Sequence, residues 1–91
     1  MPDDLPTDVV TVITQLCGET RRALAAGEYD TARATTDTMA RVATNKLPEG
    51  HHRETVRHAC DRITTLLDDD PEIEAAIGYV DALERSFPTV E

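Results

Sequence analysis

The sequence predicts an all-α domain, arranged as a four-helix up-down bundle or as two stacked antiparallel helical hairpins. Three observations lead there. Apolar residues recur at steps of three and four in four successive segments, the spacing that lines up one face of an α-helix. The 91 residues hold no Trp, one Phe (Phe87) and two Tyr (Tyr29, Tyr79), so the core must be aliphatic, which favours close-packed helices over strands. Short clusters of Pro, Gly and Asp separate the segments, and short links force neighbouring helices to run antiparallel.

Residues 1–7 form a polar lead-in with two prolines, residues 8–88 a single helical domain, and residues 89–91 a tail. Thr7 or Asp8 is placed to cap the first helix through a side-chain oxygen. Its stripe is Val9, Val12, Ile13, Leu16, Thr20, Ala23 and Leu24, running to Ala26. Gly27 then ends it, since glycine readily takes the positive φ found just past a helix. Gly18 sits inside this pattern and weakens the helix by about 1 kcal/mol relative to Ala; only a closely crossing neighbour would account for it.

Glu28 or Asp30 opens the second helix, with Tyr29, Ala32, Thr36, Met39, Ala43 and Leu47 on one face. Its many threonines lower helix propensity, so packing must hold it. Asn45 and Pro48 bound its end, and Leu47-Pro48-Glu49-Gly50 makes the turn. The third helix, about 50–67, carries the most apolar face of the chain: Val56, Ala59, Cys60, Ile63, Leu66 and Leu67. Asp70-Pro71-Glu72 reads as the start of the fourth, with a capping carboxylate and a proline at the first helical position. Ile73, Ala76, Ile77, Val80, Leu83 and Phe87 form its stripe, and Pro88 closes it.

A chain this short buries about two-thirds of its extended surface, and homodimerisation would supplement so thin a core. Eighteen acidic and nine basic residues give a net charge of −9. The acidic, Thr-rich, Lys-poor composition, with eight Arg and one Lys, is that of proteins from high-salt cytoplasms, where charge maintains solubility. The first residues, Met1-Pro2-Asp3-Asp4, are acidic where a signal peptide would be basic, and no apolar run approaches the roughly 18 residues of a membrane span. The expectation is a cytoplasmic protein, with Cys17 and Cys60 as reduced core thiols.

Charge is unevenly spread. Residues 1–20 carry −4, residues 21–62 carry +2, and residues 63–91 carry −7. The basic residues therefore gather in the middle of the chain, where Arg33, Arg41, Arg53, Arg57 and Arg62 are the candidates for contact with a partner. Arg grips carboxylate or phosphate through paired N–H donors. The plainer reading is that these arginines pair with acids of the same chain. Without stacking aromatics among them, single-stranded nucleic acid is a weaker fit than protein.

His51, His52, His58 and Cys60 are of the types that bind zinc or copper, but their spacing argues against one site. His51 and His58 lie two turns apart, about 10 Å, His52 points about 100° away from His51, and Cys60 belongs to the apolar stripe. Solvated histidines paired with Glu54 are the simpler account. Carboxylates Glu72, Glu74, Asp81 and Glu84 alternate with apolar positions, so they face outward. No phosphate loop, nucleophile elbow or HExxH motif is present.

Leu24-Ala25-Ala26-Gly27-Glu28-Tyr29-Asp30-Thr31-Ala32-Arg33 resembles the turn of a tetratricopeptide helical pair, over one turn only; the large residue expected near Thr36 is missing. More broadly, Thr38-Met39-Ala40-Arg41-Val42-Ala43, Leu47-Pro48, His52-Arg53-Glu54-Thr55 and the run from Leu66 to Ile77 resemble a small family of uncharacterised archaeal all-helical proteins built from paired hairpins. The longer turn Glu49-Gly50-His51 departs from it. That resemblance implies an all-helical fold and no assigned activity.

The functional expectation is a small interaction module without catalytic activity or cofactor, self-associating or bound to another protein and not to a membrane. Nucleic-acid or ribosome binding through the central arginines is the alternative. A metal-dependent enzyme using His51, His52, His58 and Cys60 is the second.

Overall fold

Four helices account for most of the described residues in the computed structural model, which describes residues 6–68 and 70–87. They are α1 (Thr7–Ala26), α2 (Tyr29–Lys46), α3 (His51–Asp68) and α4 (Ile73–Arg85). Each helix packs on its chain neighbours, and α4 also packs on α1. The backbones of the diagonal pairs do not approach one another as those of neighbouring helices do, so the helices form a closed ring. Of the two arrangements left open by the sequence, this is the up-down four-helix bundle.

The four stripes meet along the bundle axis. Ile13, Cys17 and Leu24 from α1, Met39 from α2, Val56, Ile63 and Leu67 from α3, and Val80 and Leu83 from α4 are almost wholly buried. Burying an aliphatic side chain of this size contributes about 1.5–3 kcal/mol, and sulfur helps fill the shape. The Cys17 thiol donates to Met39 Sδ at 3.7 Å. On α1 the buried face is Val9, Val10, Ile13, Cys17, Thr20, Ala23 and Leu24. Val12, assigned to the core stripe from the sequence, is 40% exposed, because the inward face lies between α2 and α4 and turns Val12 away from both.

The turn after α1 forms as the sequence predicts. Gly27 has φ 76°, its N–H donates to Leu24 O at 3.2 Å, and the Glu28 N–H reaches back to Ala23 O at 2.8 Å. This pair of bonds satisfies carbonyls that the end of the helix would leave open.

The helix starts differ from expectation. Thr7 is the first helical residue of α1, and neither it nor Asp8 is the cap. Pro6, Glu28 and Glu72 precede α1, α2 and α4, and none makes a side-chain capping bond. The first-turn donors Val10, Ala32 and Ala76 use the backbone carbonyls of Pro6, Glu28 and Glu72. The fourth helix begins at Ile73, two residues beyond Pro71. The Glu72 N–H is drawn back to Leu66 O at 3.0 Å, which keeps Asp70 and Pro71 in the link. Pro88 and the tail 89–91 lie outside the described residues.

Candidate interaction surface

Side-chain bonds between and along the helices engage part of the bundle's charged surface. Arg21 on α1 reaches α4, bonding Asp81 Oδ1 through both Nε (3.0 Å) and Nη2 (2.7 Å), and also Glu84. The bonds to Glu84 and Asp81 raise the Arg21 pKa. Arg33 donates from α2 to the carbonyl of Leu67 at the end of α3, with Asp68 3.9 Å away. A cation there faces the negative end of the α3 dipole.

The other predicted contact residues have mostly local partners. Arg41 pairs with Asp37 one turn earlier at 2.6 Å, and Arg57 approaches Glu54 at 3.8 Å. Arg53 is half-buried, with its Nε atom covered and without a hydrogen-bond partner. Arg53 and Arg57 are four residues apart and share one flank of α3. Arg62 is exposed but rotated about 140° from Arg57. The five arginines therefore do not form one continuous patch.

The histidines separate as well. His51 and His52 meet edge to face with ring centroids 5.7 Å apart. His52 stacks on Phe87, 5.6 Å between centroids and 27° between planes, and its Nδ1 atom is covered and unpartnered. It closes one end of the core. His58 is exposed, while Cys60 is buried. Among the described residues no group of three or more His, Cys, Asp or Glu could hold a metal ion. Burial pushes the Cys60 thiol up to about 12, and Cys17 likewise. A thiol so raised stays protonated near neutral pH and is a poor nucleophile or ligand.

Two grooves flank α3. The one between α2 and α3 encloses about 500 Å³ and is polar, with Asp37, Glu54 and Asp61 against a single guanidinium, Arg57. Carboxylates outnumber cations there, and such a groove repels phosphate. The groove between α3 and α4 encloses about 360 Å³, and its walls are mostly apolar: Ala59, Tyr79, Ala82 and Leu83, with Glu54, Thr55 and His58 on the α3 side.

This second groove was not read from the sequence, although a signal for it exists. Ala82, which lines it, is a small exposed residue on α4, where a charged residue would be ordinary for a solvated face.

No described helix is long and apolar enough to cross a membrane. Comparison with curated proteins and with solved structures gives no match. The sequence model of one family covers nearly the whole bundle, residues 1–89. The chain belongs to that family, described as Domain of unknown function (DUF8101).

Proposed function

We propose that this protein is a small helical interaction module that self-associates and has no catalytic activity, acting in a high-salt archaeal cytoplasm. The observation that carries the reading is the open groove between α3 and α4. Ala59, Tyr79, Ala82 and Leu83 give it an apolar lining on a domain whose own core is small. Covering that groove with a second chain adds to the apolar area the monomer can bury. The acidic, Lys-poor composition supports the high-salt setting, where the screening length falls to about 3 Å at 1 M and repulsion between acidic chains is short-ranged.

Nucleic-acid binding gains no support from the arginines, since Arg41 and Arg57 already lie beside Asp37 and Glu54. Salt distinguishes the two readings. Self-association through an apolar groove is expected to strengthen from low to molar salt as charge repulsion is screened, whereas phosphate binding weakens steeply. Analytical ultracentrifugation over a range of concentrations, at low and at molar salt, tests this. Dimers favoured by salt support the reading, and a strict monomer under all conditions overturns it.

A further inference from the structure

We infer that the α3–α4 groove receives the α1–α2 face of a second copy of this chain, with Val12 against Ala59 and Ala82 and Lys46 beside Glu54. Copies then join head to tail in an open series. The inference rests on the self-association reading and specifies both of its surfaces.

The occupant is an apolar patch on the far side of the bundle. Val12 is the one exposed large apolar side chain among the described residues. Leu16 follows one turn later on α1 and Val42 stands across the seam on α2, both half-buried at the edge of the core. The contact between the Thr20 and Thr35 hydroxyls marks the flanks of α1 and α2 that meet. Val42 and Lys46 each lie within about 20° of Thr35 round α2, and so share its side towards α1. On α1, Arg21 lies about 100° from Thr20, on the side that reaches α4. Val12 lies about 80° from Thr20 in the other sense, and so projects at the outer edge of the α1–α2 seam. That seam and the α3–α4 groove occupy opposite faces of the ring. One neighbour cannot meet both faces, so the contact is heterologous and no two-fold axis closes it.

The two surfaces also agree in height and charge. Thr20 and Thr35 are level across antiparallel α1 and α2, which sets Val12 level with Ala43 and Val9 level with Lys46. Ala43 and Glu54 each stand three residues from the helix ends that the Leu47–Gly50 turn joins. Val12 is therefore level with Glu54, and Lys46 lies about 4.5 Å nearer that turn. Setting the second copy one helical turn, about 5.4 Å, further along the bundle axis brings Val12 between the levels of Thr55 and Ala59, and Lys46 to that of Glu54. One displacement thus matches the apolar patch to the apolar lining and the cation to the carboxylate. Glu54 itself lines the groove and is exposed; Arg57 stands 3.8 Å away, which leaves room for a second cation. Lys46, the only lysine of the chain, is exposed and forms no ion pair among the described residues.

The test is the weight-average mass of the full chain by sedimentation over a range of concentrations, at the salt where the wild type associates. The wild type is expected to grow past the dimer as concentration rises. Val12→Asp, which charges the patch, and Ala82→Arg, which fills the groove, are each expected to weaken association about tenfold or more. Both positions are exposed, so the melting temperature of each variant is expected to stay near that of the wild-type monomer. Mixed together, the two variants are expected to form a one-to-one complex and nothing larger, since the intact groove of the first takes the intact patch of the second. Glu54→Lys is expected to weaken association several-fold at about 0.15 M salt, and Lys46→Glu added to it is expected to restore it. A wild type that stops at the dimer, unaffected variants, a mixture without the complex, or a failed charge rescue each overturns the head-to-tail docking and leaves self-association standing. A wild type that is monomeric at every concentration and salt overturns both.

Discussion

Arg21 Nη2 lies 2.7 Å from Asp81 Oδ1, joining the first helix to the last across sixty residues of sequence. Glu84 accepts from the same nitrogen, so one guanidinium holds two carboxylates one turn apart on α4. The contact ties together the one packed helix pair that no linker connects.

Its loss is expected to be measurable but modest. The Arg21 side chain is 34% exposed and Asp81 42%, so solvent screens the pair and the contribution is about 1 kcal/mol. Arg21→Gln is expected to lower the urea midpoint accordingly. The same change made together with Asp81→Asn and Glu84→Gln is expected to cost less than the separate effects added together, because the groups act as a unit.

The two glycines of the first hairpin are expected to respond in opposite directions. Gly18 lies inside α1, and a Cβ there would meet only the Arg22 guanidinium at 3.7 Å, an ordinary contact. Gly18→Ala is therefore expected to stabilise the fold by up to about 1 kcal/mol. Gly27 holds φ 76°, which costs a side-chain-bearing residue about 1–2 kcal/mol. Gly27→Ala is expected to lower the thermal midpoint as Gly18→Ala raises it, and equal signs would refute the assignment of these roles.

The contrast shows which features the sequence could carry. Gly27 was legible because its role is local: a glycine one residue past an apolar stripe ends a helix whatever surrounds it. Gly18 was not, because its meaning depends on whether another helix crosses there, and none approaches closely. The stripes of α2 and α3 were legible for the same local reason. Val12 was misassigned on α1 because the inward direction is set by where α2 and α4 lie, and Val9, Val12, Ile13 and Leu16 form as good a stripe on paper as the buried Val9, Val10, Ile13 and Cys17. Asp70-Pro71-Glu72 has every mark of a helix start, yet the backbone bond from Glu72 to Leu66 moves that start to Ile73. The arginines were visible as a cluster in sequence, but their partners were not. Arg21 finds Asp81 only through closure of the ring, and Arg33 finds Leu67 only through the pairing of α2 with α3. The α3–α4 groove belongs to this second class, since it exists only once two helices are side by side.

Thr20 offers a test of how polar groups are accommodated in the core. It is fully buried, and its hydroxyl lies 2.7 Å from Leu16 O and 2.6 Å from Thr35 Oγ1 on α2. Thr20→Val keeps the shape and removes the bond between helices. Thr35 would retain its bond to Ala32 O at 3.0 Å, so no donor is stranded. The expected loss is about 1 kcal/mol, measured by denaturant unfolding. Thr36 bonds only its own helix, to Ala32 O at 2.7 Å, so Thr36→Val is expected to cost less than Thr20→Val.

The buried thiols give the bundle a limit on its alkaline side. Burial is the main reason that Cys17 and Cys60 are pushed from 9.0 up to about 12; the charges of Glu84 and Asp81 add to the effect at Cys17, and Arg21 opposes it. Below pH 9 both states carry the thiol protons, and the associated stability is fully present. Between pH 9 and about 12 the unfolded chain releases those protons while the folded chain retains them. The unfolded state then binds fewer protons, so stability falls as pH rises, by up to about 1.4 kcal/mol per pH unit for each thiol. A Cys17→Ala, Cys60→Ala double variant starts less stable, having lost buried volume, but is expected to have a shallower decline over this range. Near pH 8 the folded wild type is expected to resist alkylation, with both thiols reacting once urea opens the bundle. Rapid labelling of either cysteine in the folded protein would place that residue outside the closed core.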